Sequence, residues 1–145
     1  MGRKRVIMVD IWEELYLRAK EYYHPTEVNS FIYTNHVVCA LESKSGQIFT
    51  GYCIEGTGGT INLCAERMAL INMYQASGET QVKRIIAFRD TPPTNHGGMP
   101  CGICRETLMQ FSPKNKETQI MVDYESREIV ILEELLPKWW GDIRG

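Results

Sequence analysis

The chain has no long run of charge of one sign, and its net charge is only −2 over 145 residues. Phosphate binding usually shows as a basic stripe, so this balance speaks against a nucleic-acid partner. The Arg3-Lys4-Arg5 cluster is too short to change that and reads as a solvated start. No apolar stretch approaches the ~20 residues of a membrane span. Residues 6–9 are too short for a signal peptide, and Asp10 follows at once. We therefore expect a cytoplasmic location and no membrane partner. Histidine is sparse: His24, His36 and His96 show no paired ligand spacing. Each is expected to be structural or superficial, although His36 and His96 could line a pocket. There is no internal repeat, low-complexity segment or linker. A chain of 145 residues can bury about two-thirds of its unfolded surface without disulfides, so residues 1–145 are expected to form one domain.

What the chain does have is five cysteines, an odd number, three of them in two short motifs: Cys64-Ala65-Glu66-Arg67 and Pro100-Cys101-Gly102-Ile103-Cys104-Arg105. In a cytosolic chain this pattern suggests metal before disulfides. Three thiolates suit zinc and leave a fourth position for water. Cys101 and Cys104 share one face of a helix start, and Cys64 enters from the start of another. Both helix N-termini would point at the site and help keep the thiols ionised. Three thiolates leave the metal centre formally negative, which weakens a Lewis acid. Arg67 is the side chain placed to offset this, by a hydrogen bond to a ligand sulfur. Glu66 can then move a proton from water to a substrate ring nitrogen and on to a departing amine, the chemistry of a zinc deaminase.

Blander readings exist for each element. Cys101-Gly102-Ile103-Cys104 alone suits a redox pair or half of a structural zinc knuckle. A redox pair would have no use for Cys64 and Glu66. Cys53 could close the zinc as a fourth thiolate and leave it inert. Cys39 is most simply a small buried strand residue.

Periodicity places helices at 10–23, 63–76, 102–111 and from Glu133 to Trp140, and strands at 36–42, 47–54, 83–89, 118–123 and 127–131. Residues 26–34 lack a clear period and read as loop or irregular strand. Three glycines in Glu55-Gly56-Thr57-Gly58-Gly59-Thr60 mark a loop that can approach a ligand or a neighbouring subunit. It lacks the spacing of a phosphate-binding fingerprint. The order implies a mixed sheet with helices on its faces.

The two motifs, with Glu134-Leu135-Leu136-Pro137, resemble the cytidine deaminase superfamily, in its small cytidine deaminase and blasticidin S deaminase branch. The likeness runs from about residue 9 to 140. It implies a three-layer α/β/α fold with a five-stranded mixed sheet and one zinc per subunit. It also implies a homo-tetramer or homo-dimer whose sites are finished by neighbouring chains. By this resemblance Cys64, Cys101 and Cys104 match the zinc ligands, Glu66 the proton shuttle and Ala65 a backbone donor to the base. Glu55 matches the carboxylate that grips a ribose hydroxyl. Trp140 falls where the family has a pocket aromatic. The family's Asn-x-Glu stands here as Cys53-Ile54-Glu55, and its pyrimidine-packing aromatic aligns with Asn35. The deamination set is complete while the cytidine-recognition set is altered. The expected activity is therefore hydrolytic deamination of a free cytosine-type nucleoside, whether cytidine, deoxycytidine or an analogue such as blasticidin S. The alternative is a catalytically idle, zinc-stabilised binding protein on the same fold; polynucleotide deamination is a distant third.

Overall fold

The computed structural model describes residues 9–95 and 97–144, so the Arg3-Lys4-Arg5 cluster and His96 lie outside the described residues. The first helix, α1, spans Ile11–Lys20, and Asp10 caps it by accepting the Glu13 N–H at 3.1 Å. Ten residues are too few to hold a helix in water unaided. Burial of Trp12, Leu15 and Ala19 against the sheet holds it there.

Among the described residues the sheet has six strands: β1 Thr26–Glu27, β2 Tyr33–Ser43, β3 Ile48–Glu55, β4 Val82–Phe88, β5 Gln119–Asp123 and β6 Glu128–Ile131. Its spatial order is β3-β2-β4-β5-β6, and β1 adds to the first residues of β2. β4 and β5 run parallel and the other neighbours antiparallel. The five-stranded expectation thus becomes six by the two-residue β1. Its pairing with Thr34 and Tyr33 is non-local, which is why residues 26–34 show no period of their own.

Alternation along β2 divides the core into two. Val38 and Ala40 face α1, with Ile86, Phe88 and Met121. Cys39 and Leu41 face the other layer, where α2 (Ala65–Ser77), α3 (Gly102–Phe111) and the single turn α4 (Leu132–Leu135) pack. The result is three layers, α/β/α. The closing helix is shorter than the span from Glu133 to Trp140 implies. Pro137 cannot continue a helix, Lys138 turns left-handed at φ 54°, and a 3-10 turn, Trp140–Arg144, follows.

β3 seats α2 closely. A Cβ on Gly51 would press into the backbone nitrogen of Ala69 and lie 2.7 Å from the Ala65 carbonyl oxygen. Beside it, Asn72 Nδ2 donates to the Thr50 carbonyl at 2.8 Å. Gly51→Ala is therefore expected to destabilise the fold by about 3 kcal/mol, since backbone atoms cannot step aside as side chains do. The urea midpoint would fall; an unchanged midpoint would contradict this seating of α2.

Candidate active site

β2 carries an irregularity where the sheet meets the site. Thr34 pairs with Ile54 and Val38 with Tyr52, so β2 runs four residues where β3 runs two. Asn35 takes up the surplus with a left-handed φ of 63°. Its amide Nδ2 donates to the Tyr22 carbonyl at 2.8 Å, and its own carbonyl accepts the His24 N–H at 3.1 Å. Asn35 is thereby anchored to the end of α1, and it is not among the residues that line the cavity described below.

The three motif cysteines meet at the starts of two helices. Cys64 is the N-cap of α2 and Cys101 the N-cap of α3, both in extended backbone, and neither side chain caps its helix. Cys104 lies one turn into α3 and is fully buried. Cys64 Sγ is 3.7 Å from Cys101 Sγ, and Cys101 Sγ is 3.6 Å from Cys104 Sγ. All three sulfurs lie within 4.8 Å of one another. A disulfide needs about 2.05 Å. A tetrahedral zinc with sulfur bonds of about 2.3 Å sets its ligands about 3.8 Å apart, so the donor set and its spacing fit zinc. Cys53 is not part of this cluster: its Sγ rests on the His36 ring, 3.3 Å from Nδ1 and 3.4 Å from Nε2.

Burial keeps two of the three thiols protonated in the absence of a cation. Burial, and then the Glu66 carboxylate, push the Cys104 thiol far above its ordinary range. Burial also raises Cys64, against the hydrogen bond from Arg67. Burial works to raise Cys101 as well, but the backbone N–H of Cys104 and the neighbouring thiols outweigh it and lower the group. Glu66, only 8% exposed, accepts the Cys104 S–H at 3.3 Å, and burial raises its carboxyl. Arg67 Nη2 lies 3.7 Å from Cys64 Sγ and 3.3 Å from the Asn62 carbonyl oxygen. Asn62 Oδ1 in turn accepts the Gly56 N–H at 2.7 Å, which ties the start of the glycine-rich loop to a residue just before the motif.

A cavity of about 370 Å³ opens onto this cluster. Cys53, Glu55, Cys64, Ala65, Glu66 and Cys101 line it, so most of the expected site residues converge. Ala65 and Glu66 open α2, and their N–H groups have no partner within the helix. Glu55 Oε1 lies 2.8 Å from His36 Nε2. Trp140 does not reach the cavity. It is about half exposed, and its Nε1 donates to Glu106 Oε1 at 3.0 Å. Sequence reasoning passed over Arg89 and Met99, which line the cavity; His36, which it allowed as a pocket residue, is not in the lining and stands behind Glu55. Arg89 follows β4 directly and could have been found as the polar residue leaving an apolar strand toward the cysteines. A larger open groove of about 870 Å³, containing Lys83, Lys114 and Trp139, has none of the motif residues in its lining.

Comparison with known proteins agrees with this geometry. Residues 20–120 match the model of the cytidine and deoxycytidylate deaminase zinc-binding region. A cytidine deaminase of Mycoplasma genitalium is 28% identical over 126 residues, which cover 87% of this chain and 89% of that one. A blasticidin-S deaminase of Bacillus cereus is 27% identical over 109 residues, covering 71% and 75%. The crystal structure of a cytidine deaminase from Mycobacterium leprae superposes with a TM-score of 0.70 at 22% identity, over 90% of this chain and all of that one, and shares the fold. With a family model matched over more than two-thirds of its length and three thiols at zinc spacing beside a buried carboxylate, the chain belongs to the cytidine and deoxycytidylate deaminase family, hydrolases that act on a carbon–nitrogen bond.

Proposed function

We propose that this protein is a zinc-dependent deaminase of a free cytosine-type nucleoside, releasing ammonia and serving pyrimidine salvage or detoxification of an analogue such as blasticidin S. The observation that carries the reading is the Glu66 carboxylate, buried in the cavity wall beside three sulfurs spaced 3.6 and 3.7 Å apart. Cys64, Cys101 and Cys104 would hold zinc, which would supply a Lewis acid able to bring the pKa of a water toward about 7. Glu66 takes a proton from the attacking water and gives it to the ring nitrogen beside the amine-bearing carbon. It then carries a second proton to the amine, which leaves as ammonia while the carbon becomes a carbonyl. In this reading the Ala65 N–H donates to the base and Glu55 accepts a sugar hydroxyl, and both residues line the cavity.

The cavity supports a small substrate. Its volume falls within the roughly 300–1,000 Å³ of small-molecule sites. Among the described residues that line it, Arg89 is the one cation, which does not suit a polynucleotide track. Among the described residues no helix is long and apolar enough to cross a membrane, in keeping with a cytoplasmic enzyme. A homo-oligomer is supported by exposed Ile61 and Ile103, on the loop and helix that carry the site, and by Phe31. Trp140 lies outside its own cavity, and in this reading it serves a neighbouring copy.

Ammonia release by the zinc-loaded protein should be measured with cytidine, deoxycytidine, blasticidin S and free cytosine. At least one nucleoside or the analogue should be turned over, and cytosine poorly or not at all. Release from none, with zinc present, would favour an idle binding protein instead.

A further inference from the structure

We propose that His36 is a positioning residue: it holds the Glu55 carboxylate in the orientation that receives a sugar hydroxyl, and so sets the site's preference for nucleosides carrying that hydroxyl. The inference rests on the cytosine-nucleoside reading above.

The strand period would turn His36 away from the cavity. Positions 38 and 40 of β2 face α1, and a regular strand would send position 36 the same way. The surplus residues between Thr34 and Val38 break that period, and Asn35, tied to Tyr22 and His24, holds the break in place. The ring of His36 is turned instead toward Cys53 and Glu55, two positions of β3 on the cavity side. There it is buried and lies parallel to the Tyr33 ring, with centroids 4.2 Å apart and planes 16° from parallel. Stacking fixes the plane of the ring, the Cys53 sulfur packs on it, and Nε2 is engaged by Glu55.

The hydrogen-bond network assigns the tautomer. An ionised carboxylate only accepts, so Nε2 carries the proton and donates it to Glu55 at 2.8 Å. Burial raises the Cys53 thiol, which stays protonated; its sulfur lies 3.3 Å from Nδ1 and 3.4 Å from Nε2, over the ring face, and packs on the imidazole rather than bonding one nitrogen. The directed bond of this ring is the one from Nε2 to Glu55. Cys53 offers a ligand neither the two donors nor the acceptor of an amide, only a weak S–H. Glu55 is therefore the group left on this side of the cavity to accept a sugar hydroxyl. Its side chain is 54% exposed, and His36 is the partner that restrains it, leaving Oε2 for the ligand.

The test pairs two variants with two substrates. His36→Phe keeps the stack on Tyr33 but cannot donate; His36→Gln keeps a donor. With cytidine, His36→Phe should lower kcat/KM about 10–100-fold, mainly through KM, and His36→Gln should restore most of it. With 2′,3′-dideoxycytidine, which lacks the hydroxyls, His36→Phe should change kcat/KM less than about three-fold, because the lost restraint has no hydroxyl to act on. An equal loss on both substrates means a general structural role and overturns the proposal, as does no loss on either. Turnover of neither by the unmodified enzyme sinks the nucleoside reading itself, and this inference with it. A readout free of activity is the nitrogen spectrum of His36. It should show the Nε2–H tautomer, and its shifts should move in Glu55→Gln; unmoved shifts overturn the proposal whatever the turnover.

Discussion

Replacing Glu66 with glutamine is expected to leave zinc in place and to cut turnover by about three orders of magnitude. The exchange keeps the side chain's length and volume at a position only 8% exposed, so packing around α2 should be undisturbed. Glutamine can donate its amide N–H to the Cys104 sulfur, a thiolate when zinc is bound, which Glu66 faces at 3.3 Å. It cannot bind a proton, and the proposed reaction asks this residue to move two. A thousand-fold fall corresponds to about 4 kcal/mol of transition-state stabilisation. Zinc content by mass spectrometry and ammonia release should be read on the same preparation. A glutamine variant within ten-fold of the parent rate would remove Glu66 from the chemistry, whatever its position in the cavity.

Cys104→Ala should lose zinc and turnover together. Cys104 is the fully buried member of the three, reached from inside α3 rather than from a helix cap. Without it two sulfurs remain, too few to hold zinc in competition with buffer and chelators. Loss of a partner one layer out typically costs 10–100-fold in metal affinity, so loss of a ligand should exceed about 100-fold. The melting temperature should fall as well, because metal binding contributes directly to folding free energy. Cys39→Ala is the control: it removes a buried thiol from β2 among core residues and should keep both metal and activity. Retained zinc and normal turnover in Cys104→Ala would refute the ligand set.

The chemistry of the site was legible in the sequence because it demands particular residue types at fixed spacing. Two thiols three apart at a helix start reach one point wherever the helix goes, and α3 occupies the expected residues 102–111. α2 starts two residues late because Leu63 still bridges to Ile54 and Cys64 keeps extended backbone as a cap. Substrate contacts were harder to read. Asn35 was named because the family's pyrimidine-packing aromatic aligns with it, and such an alignment does not show the surplus residues between Thr34 and Val38. The same surplus turns His36, already a possible pocket residue in the sequence, toward Cys53 and Glu55, where a period of two would send it to the other face. Asparagine is among the few residues that accept a left-handed backbone, so Asn35 was the one local sign of the break. Trp140 lies beyond Pro137 and Lys138, where the chain direction depends on packing against Glu106 rather than on any periodic pattern. Cys53 as a fourth ligand was a fair reading of composition, but its sulfur rests on the His36 ring and does not join the three.

The two helix caps carry a consequence for anyone who tries to improve this protein. Positions 64 and 101 are where serine or aspartate would normally begin a helix, and each cysteine there leaves its helix start poorer by about 1 kcal/mol. A stability screen that scores the polypeptide alone would pick serine at both positions. The same changes would remove two of the three sulfurs. Thermal robustness and activity are thus set against each other at two named residues, and variants selected for one should be counted for the other before any are kept.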